Sequence, residues 1–253
     1  MLGNEGADYP FLIDFHGGSF AYGWGLPADE SMAYLVQDEF SNALIRNFST
    51  PGYGLVQSLL ILQKQQKNGD LPSMAILNYM PFHDRRNAMT NSYKEEILQA
   101  YANSNPEALK AFEEAQFPFI RDGKIEFQSW SASTSGFRLR DYSALVNLIA
   151  SESALRADKQ IDARAETIAL LKKISALCEE NGVRLLVYVM SNEESGKSAF
   201  DDFSKLGIDC LLSPIDLQEN KWTLYPLDSH PNEKANRELA NTLTEKLDQT
   251  LYE

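Results

Sequence analysis

The stretch Phe11-Leu12-Ile13-Asp14-Phe15-His16-Gly17-Gly18-Ser19-Phe20-Ala21-Tyr22-Gly23-Trp24-Gly25 decides how this 253-residue chain is read. A short apolar run rich in Phe and Ile has the composition of a buried strand. It leads straight into a serine flanked by glycines. Glycine at a strand end lets the backbone turn tightly and leaves the serine hydroxyl and neighbouring N–H groups open to a ligand. Such a serine suits a nucleophile, although the same residues taken alone also read as a plain Gly-rich turn. No Gly-Lys-Ser/Thr follows, so the stretch is not a P-loop.

Outward from this first strand, at 11–15, further short β-rich runs occur at 44–48, 74–79, 183–190 and 208–212. Helical periodicity separates them at 31–40, 55–67, 163–181 and 199–206. A last helix is marked by Ala235, Leu239, Leu243, Leu247 and Leu251, which recur every four residues and put one apolar stripe on one face. The alternation predicts an α/β fold, a parallel sheet covered by helices on both faces. Residues 88–157 break it. Helical stretches at 92–102 and 106–115 precede two alternating apolar runs joined by Asp122-Gly123, a hairpin signal. We read this region as an insertion after the third strand, within a single domain spanning 1–253, overhanging the carboxyl ends of the strands where open α/β sheets place their sites. Phe127, Trp130 and the Ser/Thr-rich residues 129–135 are its candidate lid.

Composition narrows the partners. Lys+Arg 23 against Asp+Glu 36 gives a net charge of −13, with a sequence pI near 4.7. This disfavours nucleic acid and anionic membrane surfaces, which need clustered cations. Even the apolar run Val183-Arg184-Leu185-Leu186-Val187-Tyr188-Val189 carries a charge, so no membrane span is expected. Met1-Leu2-Gly3-Asn4-Glu5 lacks the order of a signal peptide. The expectation is a soluble, cytoplasmic chain, or one trimmed from a longer or exported protein. Cys178 and Cys210 are too few for a disulfide framework and read as two buried thiols. Oligomeric state is not encoded in these features.

The second chemical block lies just before the last helix, in Tyr225-Pro226-Leu227-Asp228-Ser229-His230-Pro231-Asn232. Pro231 suits a first helical turn, which would fix His230 on the loop leading in, with Asp228 beside it. A serine becomes a good nucleophile when a base takes its proton and an acceptor orients that base. Ser19, His230 and Asp228 supply these roles. Separately, Asp228 reads as a turn carboxylate and His230 as a surface histidine. A third block, Asn47-Phe48-Ser49-Thr50-Pro51-Gly52-Tyr53-Gly54, offers Gly52 N–H to a developing oxyanion, or forms a simple Pro-Gly turn. A fourth, Asn78-Tyr79-Met80-Pro81-Phe82-His83-Asp84-Arg85-Arg86-Asn87, places polar groups after the third strand. The aromatic residues Phe20, Tyr22, Trp24 and Tyr53 read as an acyl or sugar-binding surface, or as ordinary core. His16 is either a packed strand-end residue or a neighbour of the site.

In this order the blocks resemble the SGNH/GDSL hydrolases, over 11–247. The resemblance implies a three-layer α/β/α sandwich with a flavodoxin-like five-stranded parallel sheet, and esterase, lipase or carbohydrate-deacetylase chemistry without metal or cofactor. It further implies Ser19 as nucleophile, His230 as base, Asp228 as its partner, and backbone N–H groups of Ser19 and Gly52 in the oxyanion hole. Two positions depart from the pattern. Gly17-Gly18-Ser19 lacks the aspartate of Gly-Asp-Ser, and the usual Gly-x-Asn-Asp is replaced around Phe82-His83-Asp84. His83 is the candidate substitute donor, with Asn87 second.

The expected function is that of a serine esterase acting on an O-acyl ester: a carbohydrate acetyl ester, a lipid or a small ester, contacted by Tyr22, Trp24 and Tyr53. An O-acyltransferase using the same triad, and a non-catalytic protein binding a glycan or partner, are the alternatives. A zinc site from His83, Asp84, Asp228 and His230 would leave Ser19 without a role and is set aside.

Overall fold

Of the 253 residues, a computed structural model describes 9–101, 106–129 and 143–252. The strands are β1 (Phe11–His16), β2 (Ala43–Asn47), β3 (Met74–Tyr79), β4 (Gln116–Arg121), β5 (Lys124–Ser129), β6 (Arg184–Val189) and β7 (Asp209–Leu212). The α-helices are α1 (Ser19–Tyr22), α2 (Met32–Glu39), α3 (Leu55–Asn68), α4 (His83–Asn87), α5 (Asn91–Tyr101), α6 (Pro106–Glu114), α7 (Ala144–Asp158), α8 (Ala163–Glu180), α9 (Glu194–Ser204) and α10 (Glu233–Tyr252). Contacts divide the chain into two units, Met1–His83 with Leu171–Glu253, and Asp84–Leu170. The stretch read as an insertion falls inside the second.

The first unit holds a five-stranded parallel sheet in the order β2-β1-β3-β6-β7, flanked by helices as a three-layer α/β/α sandwich. All six residues of β3 are buried, as a strand covered on both faces requires. Ile13, Phe15, Ile45, Met74, Ile76, Leu186 and Tyr188 share one core cluster with Met32 and Val36 of α2 and Leu239, Leu243 and Leu247 of α10. Side chains of alternate parity face α3 and α9: Asp14 reaches Gln65 of α3, and the Tyr79 ring meets Phe203 of α9 at 4.9 Å. Helix α9 starts at Glu194, earlier than the periodicity at 199–206 predicts. Gly196 permits this, because a Cβ there would lie 2.0 Å from the Ser191 carbonyl oxygen.

One charge network is built into the sheet. Asp14, fully buried, accepts from Arg46 Nε at 2.6 Å, Arg46 Nη2 at 3.0 Å and Gln65 Nε2 at 2.7 Å, while Arg46 Nη1 reaches Asp70 at 2.7 Å. Burial pushes the Asp14 carboxyl up, and the Arg46 and Gln65 donors pull it back. Removing one partner strands the other in low dielectric, so Asp14→Ala is expected to cost about 3–5 kcal/mol in denaturant unfolding. A loss under about 1 kcal/mol would show that Asp70 and water replace Asp14.

Cys178 on α8 is buried as expected, whereas Cys210, on the edge strand β7, is partly exposed. Both are free, and burial pushes each thiol up to about 11. Among the described residues no helix is long and apolar enough to cross a membrane.

The second unit contains the β4–β5 antiparallel hairpin, turned by Asp122 (φ 48°) and Gly123 (φ 68°) as the Asp-Gly signal predicts. Glu166 accepts from both turn N–H groups, at 2.7 and 3.2 Å. A small core joins Met89, Tyr93, Phe112 and Phe119. Asp84 pairs with Arg164 at 2.7 Å, and the Asn87 amide donates to Thr167 Oγ1 at 3.0 Å. Trp130 and residues 131–135 of the candidate lid, and Met1 to Glu5, lie outside the described residues.

Candidate active site

Ser19 is placed by its glycines. Gly17 lies so close to β3 that a Cβ would meet Asn78 Cβ at 3.0 Å and the Asn78 carbonyl oxygen at 3.1 Å. Gly18 is extended and Ser19 opens α1, which ends at Gly23 with φ 85°, a left-handed conformation that glycine adopts without strain. A first-turn N–H has no intrahelical acceptor, so Ser19 presents hydroxyl and N–H from one position. Asn78 supports this turn from behind, donating to the His16 carbonyl oxygen at 3.0 Å. Its sequence signal is a lone amide within an otherwise apolar strand. His16 itself packs inward: it is fully buried, stacks on Phe48 at 5.6 Å, and burial pushes its pKa down to about 3, so the ring is neutral.

His230 is held by a closed loop rather than by a helix. Thr223 and Pro231 form an antiparallel bridge, Leu224 N–H donates to the His230 carbonyl at 3.0 Å, and Asn232 N–H donates to Trp222 at 3.0 Å. Pro231 therefore sits in this bridge and not in the first turn of α10. Asn232 caps that helix instead, accepting from Ala235 N–H at 3.0 Å while its amide donates to the Lys221 and Thr223 carbonyls at 3.0 and 2.9 Å. A single side chain thus ties loop and helix together, and its position directly before an amphipathic run is the signal that marks it.

The two segments, more than two hundred positions apart in sequence, bring three side chains into line. His230 Nε2 lies 2.8 Å from Ser19 Oγ, and its Nδ1 is hydrogen-bonded to Asp228 Oδ1. The same Asp228 oxygen accepts the His230 backbone N–H at 2.9 Å. These bonds to His230 hold the Asp228 carboxyl below the usual carboxylate range. Ser19 is nearly buried at 6% exposure, whereas His230 and Asp228 side chains keep 21% and 34%. Phe20 packs edge-on against the His230 ring at 5.1 Å, and Trp24 lies 6.2 Å from it.

The remaining expected residues are dispersed around this line. Gly52 has φ 85° in the turn closed by Tyr53 N–H to Thr50 O at 3.0 Å, and Thr50 N–H donates to Gly17 O at 3.1 Å, which fastens that loop to the serine turn. Tyr22 is half-exposed at the end of α1, and Tyr53 stands partly exposed before α3. His83 is buried at the start of α4, edge-on to Phe82 at 4.9 Å, with Nδ1 accepting from Met80 N–H at 3.4 Å. That bond leaves the ring proton on Nε2. Among the described residues no three His, Cys, Asp or Glu side chains converge as metal ligands.

No family model matches the sequence, and no curated protein matches it either. Solved structures do. The psychrotrophic esterase EstA from Pseudoalteromonas sp., in a structure inhibited by monoethylphosphonate, superimposes with a TM-score of 0.51 at 13% identity, covering 96% of this chain and 99% of that one. The chain shares the α/β fold of that esterase, a five-stranded parallel sheet flanked by helices. TesA is similar at a TM-score of 0.50 and 12% identity, over 94% of this chain and 98% of its own. A member of the lipolytic protein G-D-S-L family from Veillonella parvula DSM 2008 reaches 0.47 at 12% identity, over 92% and 96%. In this fold the Ser19 turn follows β1 and the His230 loop precedes the last helix, so both stand at ends of elements fixed by the sheet.

Proposed function

We propose that the chain is a serine hydrolase of carboxylic esters. One observation carries this reading: His230 Nε2 stands 2.8 Å from Ser19 Oγ while Asp228 holds the opposite ring nitrogen. His230 takes the Ser19 proton as Oγ attacks the ester carbonyl, and the tetrahedral oxyanion is met by the N–H groups of Ser19 and Gly52. His83, protonated on Nε2, is the third proposed donor. His230 then gives its proton to the departing alkoxide oxygen, leaving an acyl-serine and the free alcohol. Water, deprotonated by His230, attacks the acyl carbon, and Ser19 recovers its proton as the acid departs. Trp24, against the His230 ring, is placed to contact the entering ester, with Tyr22 and Tyr53 beside the approach.

EstA, an esterase sharing this fold, is inhibited by monoethylphosphonate, so an organophosphorus probe is the direct test. A fluorophosphonate should attach to the Ser19 peptide, read by mass spectrometry. Nitrophenyl esters of increasing acyl length should be hydrolysed, with the length preference choosing between a deacetylase and a lipase. Folded protein that takes up no label and cleaves none of the esters would sink the reading.

A further inference from the structure

Beside the triad lies a cavity of about 600 Å³ whose wall includes Phe20, Phe82, Tyr225, Leu217, Glu193 and Asp228. It adjoins the catalytic line, because Asp228 lines it and Phe20, also in its wall, packs on His230 at 5.1 Å and on Phe82 at 5.5 Å. The charged groups lining it are Glu193 and Asp228, both acidic, and Asp228 is engaged by His230. Among the described residues no Lys or Arg belongs to that wall. Lys221, close in sequence to the lining residue Asn220, pairs with Glu219 at 2.7 Å and covers the Trp222 ring.

Glu193 is the unexplained member. It stands at the N-cap of α9, yet its side chain makes no capping bond, and among the described residues its carboxylate meets neither cation nor hydrogen-bond donor. The dipole of α9 favours a carboxylate at this end without fixing its side chain, which is left to line the cavity. A pocket for a plain acyl chain gains nothing from a charge that it must desolvate. Aromatic walls with one uncompensated carboxylate form the chemistry that holds an alkylammonium group, through charge pairing and the negative faces of the rings. The net charge of −13 draws cations toward the molecule as a whole.

We propose that this cavity binds an ammonium-bearing portion of the substrate, with Glu193 as its counter-charge. The inference rests on the esterase reading for its role in turnover, but not for binding. Choline and its uncharged isostere 3,3-dimethylbutan-1-ol have the same shape and differ in charge, so calorimetric titration of both at low salt isolates the electrostatic part. Wild-type protein is expected to bind choline about tenfold more tightly, a modest gain suited to a carboxylate that is only partly buried. In Glu193→Gln that ratio should fall to near one, with an unchanged circular dichroism spectrum. Equal affinities in the wild type, binding of neither compound, or parallel weakening of both by Glu193→Gln would overturn the proposal. These outcomes are independent of fluorophosphonate labelling, so failure of the pocket and failure of the triad are separable. With acetylcholine and 3,3-dimethylbutyl acetate as esters, the same ratio should appear in kcat/KM and reside in KM.

Discussion

Ser19→Ala is expected to lower kcat for every ester the protein turns over by about 10⁴- to 10⁶-fold, and to abolish fluorophosphonate labelling. The fold should survive the change. Ser19 Oγ bonds to His230 Nε2, and the substitution removes one nearly buried oxygen without opening a large void or unpairing a backbone group. Its effect on unfolding should stay within about 1 kcal/mol. Adding His230→Ala to Ser19→Ala should reduce kcat little further, because nucleophile and base act as one unit and the residual rate comes from binding and the oxyanion donors. Steady-state kinetics of the two single variants and the double variant, with thermal melts alongside, test this. A well-folded Ser19→Ala protein within tenfold of wild-type activity would assign the chemistry to another residue.

The sheet was readable because parallel strands buried on both faces carry nearly unbroken apolar runs, and β3, Met74–Tyr79, has the bounds its sequence suggests. The stripe from Ala235 to Leu247 in α10 was equally plain, since one face meets the core and the rest meets water. Ser19, Asp228 and His230 were legible as residue types on turns, and the order of the blocks implied that they meet. The loop that holds His230 was not legible, because it depends on the pairing of Thr223 with Pro231, which no local pattern encodes. Arg46 and Asp14 are single charges within apolar runs, and only the register placing Asp14 opposite Arg46 turns them into a pair. The start of α9 was obscured by Ser195-Gly196, a sequence that resembles a loop until Gly196 is seen against Ser191. Glu193 carried no signal at all. Its interest arises from what surrounds it in space.

Asp228 yields the second large effect, and the geometry distinguishes its two obvious substitutions. Asp228→Ala removes the acceptor that fixes the proton on His230 Nδ1 and stabilises the imidazolium, and should lower kcat by about 10⁴-fold. Asp228→Asn behaves differently here from the usual expectation, in which an asparagine amide forces the wrong histidine tautomer. One oxygen, Oδ1, accepts both the His230 backbone N–H and Nδ1. The backbone N–H can only donate, so it selects the carbonyl oxygen of an asparagine for that place, and the same oxygen remains available to Nδ1–H. Asparagine then keeps the orientation and loses the charge, a step from a charge-assisted to a neutral hydrogen bond that costs about 10- to 100-fold. The expected order of kcat is wild type, Asp228→Asn, Asp228→Ala, with KM little changed. An asparagine variant as slow as the alanine variant would mean that its amide has rotated to face Nδ1. The pH dependence follows from the lowered Asp228 pKa. Its stabilising contribution is present above the unfolded carboxyl pKa of about 4 and is lost as pH falls through the lower folded value. The stability gap between wild type and Asp228→Asn should therefore close in acid, as the pH falls through the carboxyl range, and a gap that stayed fully open well below pH ~4 would contradict the assignment of this carboxylate as the partner of His230.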